Sequence, residues 1–300
     1  NHKTAPVELR ERVSFSADQA QRAAEELRSR GVLSETLVLS TCNRSELYGV
    51  PPESSPDSAR AMELFLATFH QIDPSMLASS LYRRRDHDAV RHLFRVASGL
   101  DSMLLGEAEI LGQVREAYRI ALDLGATGPV LNRMFQNALE VGKRVRTETE
   151  IGKKPVSVAF AGVKLAERIF GSLRGHSALI LGAGATGEQV MNHLRDRGIS
   201  HLRVANRSKD RAKELAGRMG AEVVDWESLN ASLAWPDMIV SSVSSAEPVL
   251  TRGMLERAMA ARSNRSLLLV DLGMPRNIEP GAADLYNVYL YDMDHLAGIV

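Results

Sequence analysis

The feature that most restricts the fold of this chain is a glycine-rich segment in its second half. An apolar run at 178–181 leads directly into Gly-Ala-Gly-Ala-Thr-Gly at 182–187, and a helical pattern begins at Glu188. Between a strand and a helix, the first glycine permits a tight turn and the second leaves room for a pyrophosphate. The third lets the helix pack closely on the strand. This context favours a dinucleotide-binding α/β fold over a glycine-rich surface turn.

The sequence around this glycine loop (182–187) has the pattern that is expected of a parallel sheet. Further short aliphatic runs alternate with helical patterns, and they lie at 202–205, 221–224, 238–240, 267–270 and 288–290. Near-continuous apolar strands separated by helices are typical of a sheet that is covered on both faces. We therefore predict a Rossmann-like domain with a mostly parallel sheet.

The residues after the second strand of this domain indicate which dinucleotide is bound. An acidic residue there is typical of NAD sites, but this chain has Asn206, Arg207 and Ser208. Asn and Ser can hydrogen-bond a phosphate, and a guanidinium can pair with it. NADPH is therefore favoured over NAD, with a solvated basic helix start as the alternative. The predicted cofactor contacts are Gly182, Ala183, Gly184, Ala185, Thr186, Gly187, Asn206, Arg207 and Ser208.

The first half of the chain has a different organisation. Ser16 precedes a helical pattern that Gly31 ends, and a short apolar run at 37–39 predicts a buried strand. The polar segment 40–46 follows, and helical spacing returns at 59–69 and 89–150. We predict an N-terminal α+β domain at 1–152, a cofactor domain at 153–290 and the start of a connecting helix at 291–300. The linker is expected at Lys153-Lys154-Pro155.

Composition excludes several classes of protein. The 300 residues include 37 basic and 37 acidic side chains and one cysteine. A single cysteine allows no internal disulfide and no thiolate-only metal site, so we expect no metal and a reducing compartment, the cytoplasm. No apolar run approaches the roughly 20 residues of a membrane helix, and no secretory signal is visible. A nucleic-acid partner would require a local basic patch, such as Arg83-Arg84-Arg85 or the cluster of Arg133, Lys143, Arg144 and Arg146.

The single cysteine lies in a polar setting, Ser-Thr-Cys-Asn-Arg-Ser-Glu at 40–46. A lone cysteine is often an inert small hydrophobic residue. Here, however, a guanidinium stands two positions away, and a nearby cation lowers the pKa of a thiol. We therefore expect Cys42 to be a nucleophile. A thiolate combined with an NADPH domain suggests acyl transfer to sulfur, followed by reduction of the thioester to an aldehyde.

The motifs together resemble the glutamyl-tRNA reductase family. The resemblance rests on segments 1–11, 40–46, 97–102 with Gly106-Glu107, 110–114, the glycine loop and 271–278. It implies NADPH-dependent reduction of glutamyl-tRNA(Glu) to glutamate-1-semialdehyde through a cysteine thioester, with release of tRNA. That reaction is the first committed step of tetrapyrrole synthesis from glutamate.

The resemblance also implies roles for individual residues. Cys42 would be the nucleophile, and His92 a general acid or a group that influences the thiol. The implied substrate contacts are Thr41, Asn43, Arg44, Ser102, Glu107, Ala108, Glu109 and Gln113. A guanidinium suits the substrate carboxylate, and carboxylates suit its ammonium group. Without the resemblance, His92 reads equally as a core histidine, and Glu107 and Glu109 as a solvated helix face.

The family further implies partners beyond the substrate. A homodimer is expected through a C-terminal dimerisation domain that this chain lacks, as is hand-over of the aldehyde to glutamate-1-semialdehyde aminomutase. Two alternatives stay open. A shikimate-dehydrogenase-like NADPH oxidoreductase would explain only the second half and leave Cys42 without a role. A catalytically idle tRNA-binding protein would keep the fold without the activity.

Overall fold

The protein, seen in a computed structural model that describes residues 1–53, 58–152, 157–263 and 265–299, divides into two compact units. The first unit comprises Asn1–Val156 and the second Ser157–Val300. The expected linker at 153–155 lies outside the described residues. Among the described helices, none has the length and apolar character needed to cross a membrane.

The first unit is built around a β-hairpin. Strands β1 (Glu35–Thr41) and β2 (Arg44–Val50) pair antiparallel, with Thr41 opposite Arg44. The described helices of this unit are α1 (Val7–Arg12), α2 (Ala17–Ser29), α3 (Ser58–Phe69), α4 (Pro74–Ala78), α5 (Asp86–Ala97), α6 (Glu109–Asp123) and α7 (Pro129–Glu148), and a 3-10 turn follows at Glu150–Gly152.

The hairpin is buried on both faces because its apolar side chains alternate between two cores. Leu37 and Leu39 join a core formed with α5, α6 and α7, whereas Val38 joins a second core formed with α2 and α3. Glu35, at the start of β1, is also buried. Its carboxylate accepts the main-chain N–H groups of Val130 and Leu131, at 3.2 and 2.7 Å, and so caps the first turn of α7.

Local signals in the sequence explain several of these elements. Ser16 and Gln19 form a reciprocal capping box at the start of α2, in agreement with the helix that was predicted to begin after Ser16. The predicted strand at 37–39 is the centre of β1. Strand β2 was not predicted. Its inward-facing positions include the polar residues Arg44 and Glu46, so the sequence of its first half resembles a loop. Buried and half-buried residues nevertheless alternate along it with the period of two that a strand requires.

The second unit is a doubly wound α/β domain, as predicted. Its strands are β3 (Ser177–Leu181), β4 (His201–Ala205), β5 (Glu222–Val224), β6 (Met238–Ser241), β7 (Leu267–Asp271) and β8 (Val288–Tyr291), all paired in parallel in the order β5-β4-β3-β6-β7-β8. Its described helices are α8 (Val158–Phe170), α9 (Ala185–Asp196), α10 (Lys209–Met219), α11 (Leu229–Ser232), α12 (Arg252–Ala261) and α13 (Met293–Leu296), and 3-10 turns lie at Trp226–Ser228 and Pro280–Asp284.

The strand order determines where a ligand can bind in this unit. The chain proceeds outward from β3 through β4 to β5 and then returns to β6 on the other side of β3. Ligands of such sheets bind outside the carboxyl ends of the strands at this reversal point. The carboxyl end of β3 runs into the glycine loop, so the predicted cofactor residues lie at the reversal point.

Candidate active site

Cys42 and Asn43 form the two-residue turn between β1 and β2, which we call the cysteine turn. The turn is fixed by hydrogen bonds from outside the hairpin. Arg10 donates through Nη1 to the main-chain oxygen of Cys42 at 2.9 Å, and the N–H of His2 donates to the oxygen of Asn43 at 2.9 Å. The hydroxyl of Thr41 accepts the N–H of Asn43 at 3.2 Å. The thiol is thus carried on a rigid support.

The protonation state of Cys42 differs from the sequence-based expectation. Burial, together with the negative charges of Glu107 and Glu109, raises the pKa of the thiol to about 12, and Arg10 only partly opposes them. The expectation that the nearby guanidinium of Arg44 makes a thiolate is therefore wrong. Arg44 is directed into the unit, where it pairs with carboxylates.

Arg44 is the largest of the almost fully buried side chains, with 2% of its surface exposed. Its Nη1 donates to Glu46 Oε1 at 2.8 Å and to Asp101 Oδ2 at 3.3 Å, and its Nη2 donates to the main-chain oxygen of Asp101. Lys3 forms a further ion pair with Asp101. The Nε of Arg44 is buried and has no hydrogen-bond partner in the described part of the chain.

The carboxylate of Glu46 accepts hydrogen bonds from side chains on several elements. Its carboxylate accepts hydrogen bonds from Arg44, from the hydroxyls of Tyr48 and Tyr82, and from Nε2 of His92 at 2.8 Å. We call these five residues the Glu46 cluster. His92, on α5, is therefore linked to the site through Glu46, and the structure gives it no hydrogen bond to the thiol.

The other predicted substrate contacts lie beside Cys42 in the hairpin, in the segment before α6, or on α6 itself. Ser102 and Asn43 are buried, and the Oγ of the former and the Oδ1 of the latter have no hydrogen-bond partner among the described residues. Glu107 is only 4% exposed, so it is not part of a solvated helix face. Burial, together with Glu109, raises the pKa of Glu107 to about 7. Ala108 is exposed, and Gln113 is half-buried on α6.

The sequence motifs did not reveal every residue that shapes this site. Glu46 was part of a recognised motif but received no role, and the contributions of Arg10, Tyr82 and Asp101 were missed. The alternation of Arg44, Glu46 and Tyr48 along β2 was a signal for a polar inward face. Tyr82 gave no comparable signal, because only the folded chain brings the segment before α5 to the hairpin.

The glycine loop of the second unit has the geometry that a dinucleotide needs. Gly182 has a φ of +110°, which favours glycine, and a Cβ on Gly187 would lie 2.2 Å from the main-chain oxygen of Gly182. A Cβ on Gly184 would meet no atom within 4 Å. The first and third glycines are thus required by the turn and by packing, and the second faces open space at the start of α9. That space fits a pyrophosphate at a helix N-terminus.

The residues after β4 stand beside this loop. Asn206 accepts the N–H of Ala183 at 3.2 Å and donates to the main-chain oxygen of Ser208 at 3.0 Å. Arg207 is exposed and lies near the ring of Trp226, 5.7 Å from its centroid, and it donates to Ser245 at 3.0 Å. A cavity of about 300 Å³ is lined by Arg207 and Trp226. These residues leave a guanidinium available to a phosphate.

The carboxyl ends of β6 and β7 are tied together on the other side of the reversal point. Asn277 accepts hydrogen bonds from Ser241 and from the N–H of Val243, both at 2.9 Å. Asp271 accepts the N–H groups of Gly273 and Ile278, at 2.9 and 2.8 Å. Burial nevertheless raises the pKa of Asp271 to about 7. This edge of the cofactor site is held by side-chain hydrogen bonds to the loop backbone.

Comparison with known proteins gives matches for both units. Residues 1–149 match the family model described as glutamyl-tRNAGlu reductase, N-terminal domain, and residues 164–299 match that of shikimate / quinate 5-dehydrogenase. The chain is 37% identical to glutamyl-tRNA reductase from Methanopyrus kandleri over 99% of this chain and 71% of that one, with a TM-score of 0.49. It is 24% identical to the nucleotide binding domain of glutamyl-tRNA reductase from Thermoplasma volcanium, over 49% of this chain and 92% of that one, with a TM-score of 0.37.

Proposed function

Because the chain belongs to the glutamyl-tRNA reductase family, we propose that it reduces glutamyl-tRNA(Glu) to glutamate-1-semialdehyde through a thioester on Cys42, with NADPH as the reductant. The observation that carries the proposal is the position of the single cysteine. Cys42 stands at the tip of a fixed turn, next to Asn43, whose buried Oδ1 lacks a partner among the described residues. Such atoms are costly unless a ligand satisfies them.

The chemistry of the first step follows from the thiol. Cys42 loses its proton and attacks the ester carbonyl of the aminoacylated tRNA, so that a carbon–sulfur bond forms and the bond to the ribose oxygen breaks. The ribose oxygen takes up a proton as the tRNA leaves. Since burial and the charges of Glu107 and Glu109 keep the resting thiol protonated, the positive ammonium group of the substrate would favour the thiolate on binding.

The substrate's glutamate can be recognised by groups of both signs. The unpartnered Nε of Arg44 is a buried donor suited to the side-chain carboxylate of glutamate. Glu107 and Glu109 are suited to the ammonium group. Thr41, Asn43, Ser102 and Gln113 supply neutral polar contacts in this proposal. Ala108 has a methyl side chain, so it can offer a polar contact only through its backbone.

The cofactor assignment rests on the glycine loop and on the residues after β4. The open space at Gly184 fits the pyrophosphate, and Arg207 with Ser208 and Asn206 fits a ribose 2'-phosphate. The bound cofactor would supply the hydride that converts the thioester to the aldehyde. An Arg207→Gln variant is expected to raise the KM for NADPH about tenfold or more and to leave that for NADH nearly unchanged. Equal effects on both would contradict the 2'-phosphate contact.

Transfer RNA requires positive surface, which the first unit offers only locally. Arg83 pairs with Glu63, Arg144 with Glu148 at 3.1 Å, and Arg146 donates to the main chain at Glu107. Within the two predicted basic clusters, the exposed cations without an ion-pair partner among the described residues are Arg84, Arg85, Arg133 and Lys143. We propose that these residues contact the tRNA backbone. The homodimer and the aminomutase hand-over stay predictions from the family.

The decisive experiment is intact-mass spectrometry of the protein incubated with glutamyl-tRNA in the absence of NADPH. The expected result is a glutamyl adduct on Cys42 that disappears when NADPH is added. A Cys42→Ser variant should form no such adduct and no aldehyde, yet should still bind glutamyl-tRNA. A Cys42→Ser variant that kept its reductase activity would favour the shikimate-dehydrogenase-like alternative, and absence of any activity in the wild type would favour an idle binding protein.

A further inference from the structure

Glu46 is buried in the first unit, and its carboxylate accepts hydrogen bonds from four side chains. Oε1 accepts Nη1 of Arg44 and Nε2 of His92, each at 2.8 Å, together with the hydroxyl of Tyr82, and Oε2 accepts the hydroxyl of Tyr48. These donors come from β2, from the segment before α5 and from α5 itself. Glu46 therefore connects the two residues with predicted roles in the reaction, Arg44 and His92.

The charge state of Glu46 suits a fixed anchor. Burial alone would raise its pKa, but the hydrogen bond from His92 and the charge of Arg44 lower that pKa to about 2. The carboxylate thus stays ionised under all ordinary conditions. Three protein donors share Oε1, one occupies Oε2, and the side chain is only 6% exposed, so most of the acceptor capacity of Glu46 is used within the protein. We therefore expect its effect on the chemistry to pass through its partners.

The contacts of Arg44 show what this anchor achieves. Glu46 and Asp101 occupy Nη1, and the main-chain oxygen of Asp101 occupies one position on Nη2. Nε keeps a buried N–H without a partner in the described part of the chain. Arg44 is thus held by its far end, and the donor nearest its stem stays buried without a protein partner. Two carboxylates around one guanidinium also compensate the cost of burying it.

The contact of His92 has a separate consequence. A carboxylate can only accept a hydrogen bond, so the ring nitrogen that faces Glu46 must carry a proton. In the neutral ring this places the proton on Nε2 and the lone pair on Nδ1. The ring of Tyr82 lies edge-on against His92, with centroids 5.4 Å apart, and restricts the imidazole further.

We propose that Glu46 is a positioning residue of the site, which holds Arg44 so that its unpartnered Nε is left for the substrate carboxylate, and which holds His92 in the tautomer with the proton on Nε2. This inference rests on the proposed function, because it assigns Arg44 and His92 to the glutamyl-tRNA reaction. In this proposal Glu46 acts on the reaction through Arg44 and His92.

The first test uses the wild-type protein alone. Two-bond proton–nitrogen correlation spectra distinguish the two neutral tautomers of histidine, and the expected result for His92 is a proton on Nε2. A proton on Nδ1 would overturn the proposal. This measurement needs no variant and no activity, so it decides the tautomer even if the protein forms no thioester and the proposed function fails.

The second test compares two identical substitutions of buried carboxylates in the hairpin. Glu46→Gln is expected to lower kcat/KM for glutamyl-tRNA between about tenfold and a hundredfold, since a charged hydrogen-bond acceptor is lost. The KM for NADPH should not change. Glu35→Gln is the matched control, because Glu35 is equally buried but only caps α7. It should lower the melting temperature and leave kcat/KM within about twofold of the wild type.

The outcomes separate positioning from general stability. Loss of the Nε2 tautomer preference in Glu46→Gln, together with partial recovery of kcat/KM in Glu46→Asp, would support the proposal. Unchanged kcat/KM in Glu46→Gln would overturn it. An equal loss in Glu35→Gln would also overturn it, because the effect would then reflect disturbance of the hairpin.

Discussion

At the scale of single residues, the state of Cys42 is decided by charges that are distant in sequence. The guanidinium two positions away is paired with Glu46 and Asp101, whereas Glu107, just before α6, and Glu109, at its start, act on the thiol. A protonated thiol is a weak nucleophile. The resting protein should therefore react slowly with thiol reagents until a positively charged substrate group binds.

Alkylation of Cys42 tests this arrangement directly, since the protein has no other cysteine. In Glu107→Gln a negative charge near the sulfur is removed, so the pKa of the thiol should fall and iodoacetamide should react faster at pH 8, by about threefold to tenfold. The rate is measured by intact mass at timed intervals.

A matched control for this prediction is Glu140→Gln, which removes an exposed carboxylate on α7 that solvent screens. Its alkylation rate should equal that of the wild type. If Glu107→Gln reacted no faster than Glu140→Gln, the electrostatic explanation of the slow thiol would be wrong.

The sequence was a better guide to which residues belong to the candidate site than to the contacts that each residue makes. The turn residues Cys42 and Asn43 and the buried Glu107 were named from motifs. The direction of the Arg44 side chain was not, because it depends on Asp101, which the fold brings to the hairpin from the segment before α6. Arg44 is two positions from Cys42 in the sequence, but its guanidinium is buried against carboxylates instead of acting on the thiol.

At the scale of elements, the two predicted features with the clearest physical basis are the parallel strands and the glycine loop. Every residue of β3 is buried, which explains its uninterrupted apolar run. Strand β2 escaped prediction for the opposite reason, since Arg44 and Glu46 occupy inward positions that apolar residues fill in most strands. The element that carries the site thus departs from the usual pattern.

Two alanine substitutions in the glycine loop should separate fold from binding. Gly187→Ala would push a Cβ to 2.2 Å from the main-chain oxygen of Gly182, so we expect a loss of about 1–3 kcal/mol in the free energy of unfolding. Gly184→Ala meets no protein atom and should cost less than about 1 kcal/mol. It should nevertheless weaken NADPH binding about tenfold or more, because the Cβ fills the space for the pyrophosphate.

Both properties of the glycine variants are measurable on the intact chain. Urea unfolding gives the free energies, and quenching of tryptophan fluorescence by NADPH gives the affinities. Unchanged NADPH affinity in Gly184→Ala would show that the pyrophosphate does not lie against this glycine.

At the scale of the whole molecule, three buried carboxyl groups contribute to the pH dependence of stability. Glu46 has a pKa of about 2, below its ordinary value of 4.5, so it stabilises the fold above that value and loses this contribution as the pH falls toward 2. Glu107 and Asp271 have pKa values of about 7, above their ordinary values of 4.5 and 3.8. They bind protons more tightly in the folded state, so stability falls as the pH rises from those ordinary values to 7.

Glu107 and Asp271 therefore favour the folded state in mildly acidic solution, whereas His2 and His70, whose pKa values burial lowers to about 4, oppose it there. The Glu107→Gln variant lacks one of the two groups that make stability fall as the pH rises. Between pH 5 and pH 7.5 the free energy of unfolding of this variant should therefore fall less than that of the wild type, with a difference of up to about 3 kcal/mol. Urea unfolding at several pH values measures this difference. Parallel curves for variant and wild type would show that Glu107 titrates normally in the folded protein.

The balance of 37 basic and 37 acidic residues also bears on the whole molecule, because the proposed tRNA substrate would then need a local basic patch. We expect the affinity for tRNA to fall as salt is raised, with a slope set by the few phosphates contacted. Changing Arg84 and Arg85 together to Glu should weaken binding and make the slope shallower. A slope that the double variant left unchanged would place the contact elsewhere.

The Glu46 cluster has a consequence for how mutational data on this protein must be interpreted. Arg44, Tyr82 and His92 all share one oxygen of one carboxylate. Replacing any one of them alters the geometry available to the others, so the losses from single variants will sum to more than the loss from the combined variant. An alanine scan would therefore count the same free energy several times. Double-mutant cycles that include Glu46 are the appropriate way to divide it.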